Sequence, residues 1–214
     1  MPHDGQDLGL DQAAPVLLHD LLSLTKAAIE PAEAVLGIAQ TKLRAVVDDD
    51  GRVSAAKIEA NQTAAHGLAW LATYVEALRQ MQGWAERLSA DGKFGEVEAL
   101  IHQIAFGEYL WQIYGGIQMN QGEIVRLQDI GLAQEDQHAL MSPAIMELTQ
   151  NGNTQAARVR LVELMQERVA EITVGASGLD DELEMIREQF RRYAVENVEP
   201  FAHEVDANEH VEGT

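Results

Sequence analysis

The chain of 214 residues contains no cysteine. Disulfides, thiolate nucleophiles and zinc–thiolate sites are therefore excluded, and a reducing, cytoplasmic setting is the expectation. Basic residues are scarce. Fifteen Lys and Arg stand against 35 Asp and Glu, for a formal charge of −20. Nucleic acid is disfavoured as a partner, because neutralising phosphates needs clustered Lys and Arg. Anionic membrane surfaces are disfavoured for the same reason. No window approaches the run of about 18 apolar residues that a membrane span requires. The opening MPHDGQDLGLDQAAP has neither the basic nor the apolar region of an export signal, so none is expected. Sustained alternation of β-branched and aromatic residues is also missing, and Pro and Gly are sparse in the middle. What is abundant is Ala, Leu, Glu and Gln, in a chain that is 46% hydrophobic. The class expected is all-α.

The organising stretch is Ser54 to Leu88, about 35 residues without a proline. Projected at about 100° per residue, Leu68, Leu71, Val75 and Leu78 form one stripe. Trp70, Tyr74, Ala77, Met81, Trp84 and Leu88 form a second stripe beside it. Together they cover an apolar arc of roughly 200°, twice that of a surface helix. Such a helix needs neighbours on two sides, so the expectation is a helical bundle around one long central helix. Leu71, Val75, Leu78 and Met81 are expected among its most buried side chains.

Residues 1 to 10 read as a tail. A first helix is expected from Asp11 to about Ile29, broken or kinked by Pro31, with a second from Ala32 to Val47. Asp48-Asp49-Asp50-Gly51 is a turn, and Ser54 caps the central helix. After the connection Ser89 to Gly95, a helix from Glu96 to Tyr114 must stop at Gly115-Gly116. Residues 117 to 134 read as irregular or short-helical. Helices are then expected over Glu135 to Thr149, from a cap at Asn153 or Thr154 to Val174, and over Asp180 to Ala207 with an interruption at Pro200. Gly175-Ala-Ser-Gly178 is a hinge and the best domain boundary, leaving a C-terminal helix beyond it. The division expected is a bundle over 11–174 and a separate segment over 179–214.

Several constellations could carry chemistry. Glu135-Asp-Gln-His138 has the Glu-x-x-His spacing of di-metal bundle sites, but no second copy exists. Solvated charge on an exposed face is the better reading, and no metal ligand is nominated. His66 and His102 have no Ser-His-Asp or Lys-based arrangement beside them, so hydrogen-bonded structural roles are preferred. Trp70, Tyr74, Trp84, Tyr109, Trp111 and Tyr114 lie at helical spacing, which favours core over pocket.

Two segments say more. Tyr109-Leu-Trp-Gln-Ile-Tyr-Gly-Gly-Ile-Gln118 resembles the Gln-x-x-Gly-Gly-x-Gly motif in the C-terminal helical domain of the acyl-CoA dehydrogenase family. Gln112, Gly115 and Gly116 match, and Gln118 replaces the last glycine. The aromatic-rich helix followed by a polar turn before it is similar to that family's bundle as well. The second segment runs from Met185 to Asp206. It resembles the first helix of the family's N-terminal domain, with Arg187, Arg191, Val198, Pro200, Ala202 and Asp206 in the matching places. A C-terminal-type bundle ahead of an N-terminal-type helix looks like a family member with a long N-terminal extension.

The resemblance implies a parent enzyme that oxidises an acyl-CoA across its α,β bond with FAD. It implies Gln112, Gly115 and Gly116 as degenerate matches to a flavin contact. The partner implied is the rest of a dehydrogenase core, in a homo-oligomer that takes an acyl-CoA substrate. The middle β-domain and the glutamate-bearing second bundle of that family have no counterpart in the sequence. No catalytic residue is nominated, and no cofactor is expected on this chain alone. The rival expectations are a free-standing helical protein that docks with a partner and, behind it, a di-metal bundle.

Overall fold

The computed structural model describes residues 15–168 and 174–208. Helices dominate: α1 (Leu21–Val47), α2 (Ala55–Ala60), α3 (Gln62–Ala90), α4 (Glu96–Gly115), α5 (Pro143–Asn151), α6 (Gln155–Glu167), α7 (Asp181–Asn197) and α8 (Glu199–Asn208). Strands occur, among the described residues, only as two hairpins. These are β1 (Asp48–Asp49) with β2 (Arg52–Val53), and β3 (Ile117–Asn120) with β4 (Glu123–Val125). The fold is an all-α bundle, as the 3.6-residue periodicity leads one to expect. Two compact units divide the chain between Ala176 and Ser177.

In the first unit α1 and α3 pack along each other, and α4 lies against α1, α3, α5 and α6. Leu71, Val75 and Leu78 are buried as expected, with Leu71 and Leu78 at 0% exposure. Met81 is only half-buried. The buried stripe of α3 continues instead through Gln82, Ala85 and Leu88, because Gln82 finds polar partners inside the bundle. A smaller cluster of Val97, Leu100, Ala157 and Leu164 joins α4 to α6. On its rim Arg160 grips Glu96 with two hydrogen bonds of 2.8 and 2.9 Å.

Several expected boundaries move, each for a local reason. Helix α1 starts at Leu21 and runs unbroken through Pro31; Asp11, the expected cap, lies outside the described residues. The carbonyl that Pro31 leaves without a donor belongs to exposed Ala27. Ala28, Ala32, Val35 and Ala39, all fully buried, hold both halves of α1 on the same core. Packing overrides the proline penalty.

The central helix is not continuous. Ser54 caps α2 as expected, accepting from Lys57 N. At Asn61 the side-chain amide donates to Lys57 O at 2.8 Å while its backbone N–H turns to Ile58 O. A side chain has taken the backbone's acceptor, and the helix restarts at Gln62.

Residues 117–125 form the second hairpin rather than irregular chain, with Asn120 Oδ1 accepting from Gly122 N at 2.8 Å in its turn. The helix expected from Glu135 is a 3₁₀ segment, Glu135–Met141, until Ser142 caps α5 with Pro143 in its first turn. Thr154 caps α6, which is described over Gln155–Glu167, and the expected continuation toward Val174 crosses residues 169–173, outside the described residues.

In the second unit Asp180 caps α7 by accepting from Leu183 N at 2.8 Å. Pro200 cannot donate to a preceding turn, so the helix breaks at Val198 and α8 begins at Glu199. No side chain of α7 is buried, and Phe190 reaches 72% exposure.

Candidate functional site

Helix α4 ends where the sequence requires it to. Gly116 adopts φ 131° and ψ 127°, and its N–H closes the last turn on Gln112 O. That angle favours glycine, and space demands it as well. A Cβ on Gly116 would stand 2.6 Å from Ile124 Cγ2, a side chain of strand β4. Gly115 is different, because a Cβ there would meet nothing within 4 Å. Gln118, in the place of the motif's third glycine, is paired with Ile124 in the hairpin ladder.

Gln112 is engaged at both ends of its amide. Its oxygen accepts from the Tyr74 hydroxyl at 2.6 Å, and its nitrogen donates to Glu108 Oε1 at 2.7 Å. Glu108 Oε2 in turn accepts from Asn153 Nδ2 at 2.7 Å. Tyr74 lies 4.7 Å from Tyr109, ring centre to ring centre. Partial burial, then the neighbouring Tyr109 and Glu108, push the Tyr74 hydroxyl above its usual range. A ligand approaching this turn meets Ile124 at Gly116 and a committed amide at Gln112. Of the three matched residues only Gly115 leaves room.

The remaining aromatics spread along α3 and α4. Trp70 Nε1 donates to His66 Nε2 at 3.0 Å on the surface. Trp70, Tyr74 and Tyr109 are half-buried against the core. Trp111 and Tyr114, expected with the core, stack on each other at 6.2 Å and are 54% and 45% exposed.

Sequence reasoning missed a polar hub inside the bundle. Thr25 of α1, Gln82 of α3 and His102 of α4 are all buried and meet one another. Gln82 Nε2 donates to Leu22 O and Glu86 Oε1, so its oxygen is the acceptor and takes the Thr25 hydroxyl at 2.7 Å. Leu21 O, 2.9 Å away, is a second acceptor for the one Thr25 proton, so no other neighbour of this hydroxyl can receive a further donation from it. The 3.0 Å contact between His102 Nε2 and Thr25 Oγ1 must then be a donation from histidine. His102 is the Nε2–H tautomer, and its Nδ1 is a buried acceptor without a protein partner. Trp84, Phe94 and Phe106 enclose the ring. Burial lowers its pKa to about 4, holding it neutral.

A second buried amide, Gln103, was also illegible in the sequence. It accepts Leu18 N at 2.7 Å and donates to Val16 O and Gly152 O. Nearby, Gly107 and Gly152 let α4 and the end of α5 approach: a Cβ on Gly107 would lie 2.9 Å from Leu148 O, and one on Gly152 would lie 3.1 Å from Gln103 O. Where the first unit ends, Glu98 accepts Ala176 N at 2.8 Å and Gly95 N at 3.0 Å, while Trp84 Nε1 donates to Ala176 O. The expected hinge is therefore fastened as far as Ala176.

Glu135 and His138 sit on the 3₁₀ segment, where the neighbouring Asp136 pairs with Lys42. Among the described residues no three of His, Asp and Glu gather as metal ligands. No described helix is long and apolar enough to cross a membrane.

The glycine-stopped α4 and the proline-interrupted α7–α8 helices point to the acyl-CoA dehydrogenases as the class of protein to which this chain is similar. Comparison with known proteins bears that resemblance out. The chain is 56% identical over 187 residues, 87% of its length, to the (2S)-methylsuccinyl-CoA dehydrogenase of Cereibacter sphaeroides. It spans only 33% of that protein's length. No protein-family model matches the chain.

Proposed function

We propose that this chain is the helical N-terminal portion of a methylsuccinyl-CoA dehydrogenase-like enzyme of the ethylmalonyl-CoA pathway. The parent would oxidise a branched acyl-CoA across its α,β bond. FAD, when bound, supplies the acceptor for the electrons removed from the thioester. The observation that carries the reading is 56% identity to a dehydrogenase of which this chain spans a third. Helices α7 and α8 support it, since Leu183, Ile186, Phe190, Tyr193 and Phe201 form apolar surface that their own unit leaves uncovered. In the parent the dehydrogenase core that follows would cover it, and the bundle up to Ala176 would serve as an interaction or lid domain.

The partners in this reading are that core and further copies in a cytoplasmic homo-oligomer. Gln112, Gly115 and Gly116 are only degenerate matches to the family's flavin motif, and the reading does not depend on their reaching the cofactor. No residue of this chain acts on the substrate. The flavin pocket needs several placed polar groups in a concave site, and those belong to the parts of the parent beyond this segment.

The test has two arms. The polypeptide extended past Thr214 to the relative's length should reduce an electron acceptor with (2S)-methylsuccinyl-CoA. The 214-residue chain, given excess FAD and desalted, should be colourless. An inactive, flavin-free extended polypeptide would overturn the reading. The uncovered face of α7 and α8 also favours a second reading, a free-standing helical protein that docks on a partner. Stable association with a separately expressed dehydrogenase core would support that one.

A further inference from the structure

We propose that Gln112, Gly115 and Gly116 form a packing joint of the bundle and make no contact with flavin. The inference touches the proposed function only in naming which contact the joint replaces. Three commitments carry it. The Gln112 amide is used on both sides, by Tyr74 of α3 and Glu108 of α4. Through Glu108 the same chain of hydrogen bonds reaches Asn153 in the turn between α5 and α6. A single line of donors and acceptors thus ties α3, α4 and the α5–α6 turn, and a ligand polar group would have to break it.

Gly116 is filled rather than open. Its left-handed φ and the 2.6 Å separation from Ile124 Cγ2 mean that strand β4 occupies the approach the missing Cβ creates. The backbone beyond it is spoken for as well, because Ile117 pairs with Val125 and Gln118 with Ile124. A glycine pair at a flavin is useful for exposed backbone at close range. Here the backbone after the pair is a hairpin ladder, with buried Ile117 and Val125 fixing which way it faces. Only Gly115 stays open, and one unoccupied glycine does not make a cradle.

The test separates packing from ligand binding. In the 214-residue chain, Tyr74→Phe, Gln112→Leu and the double variant are unfolded in urea. The joint requires each single variant to lower the midpoint and the double variant to lose less than their sum, since both remove one bond. Gly116→Ala should lower the melting temperature by several degrees, and Gly115→Ala should leave it unchanged. In the extended polypeptide, Gln112→Leu and Gly115→Ala should leave the flavin-to-protein absorbance ratio at the parent value. Additive losses in the cycle, or a drop in that ratio with folding intact, would sink the proposal. An extended polypeptide that never binds flavin would refute the proposed function alone, and the cycle would still decide the joint.

Discussion

Acid should weaken this bundle through one side chain. His102 carries an ordinary value of 6.5 when unfolded and about 4 when buried. Because the folded value is the lower one, the unfolded chain gains a proton first as pH falls. Stability is therefore lost between pH 6.5 and about 4, and the loss levels off below that. The two values give about 2 kcal/mol at pH 5 and roughly 3 kcal/mol at the acid limit. The cause is geometric: Nε2–H is bound to Thr25, while Nδ1, where a proton would arrive, is buried without a partner in a ring packed among Trp84, Phe94 and Phe106.

His102→Leu removes the titration and leaves the Thr25 hydroxyl donating to Gln82, so no buried donor is stranded. Urea unfolding at pH 7 and pH 5 isolates the effect from the many surface carboxylates, which both proteins share. Wild type should lose about 2 kcal/mol more than the variant between those pH values. Parallel losses in the two proteins would refute the argument, and would mean the ring is solvated or partnered in its charged form.

Leu78→Ala should cost about 2–5 kcal/mol in urea unfolding, because the residue is fully buried between helices that cannot collapse onto the gap. Backbone amides of α7 should exchange faster than those of Leu71 to Leu88, as α7 buries no side chain of its own. Equal protection by mass spectrometry would argue for one self-contained domain. Glu98→Ala should free the Ala176 and Gly95 amides together, costing roughly 1.5–3 kcal/mol, with cleavage near Ser177 by a broad-specificity protease rising at the same time.

What the sequence made legible was periodic or punctuated. Ser54, Thr154 and Asp180 announce helix starts because their side chains cap within their own segment. Gly116 announces a stop because its φ is one that other residues avoid. Features that depend on a distant partner were hidden. Pro31 should break α1 by any local rule, and only the buried Ala28, Ala32 and Val35 explain why it does not. Asn61 breaks a helix through a side-chain bond that periodicity cannot register. Met81 gives up its place on the buried stripe because Gln82 finds Thr25 and Leu22 on another helix. The candidate site divides the same way. The motif could be read at Gln112 to Gly116, but Tyr74, Glu108 and Ile124, which decide what that motif can touch, lie on other turns and strands.

Gln103 has a consequence for how the chain is assembled. It binds the backbone of Val16 and Leu18, and Leu18 lies 85 residues away in sequence. The segment that leaves the ribosome early cannot dock until α4 has been made and folded. At about 5–20 residues per second, synthesis imposes a wait of roughly 4–17 s. Throughout that wait Leu18 N and Val16 O lack the Gln103 partner that they have in the folded bundle. Closing so long a loop comes after the local helix contacts have formed. The first described residues of this protein are therefore among the last to reach their native place, and the nascent chain is most open to aggregation or holdase binding just there.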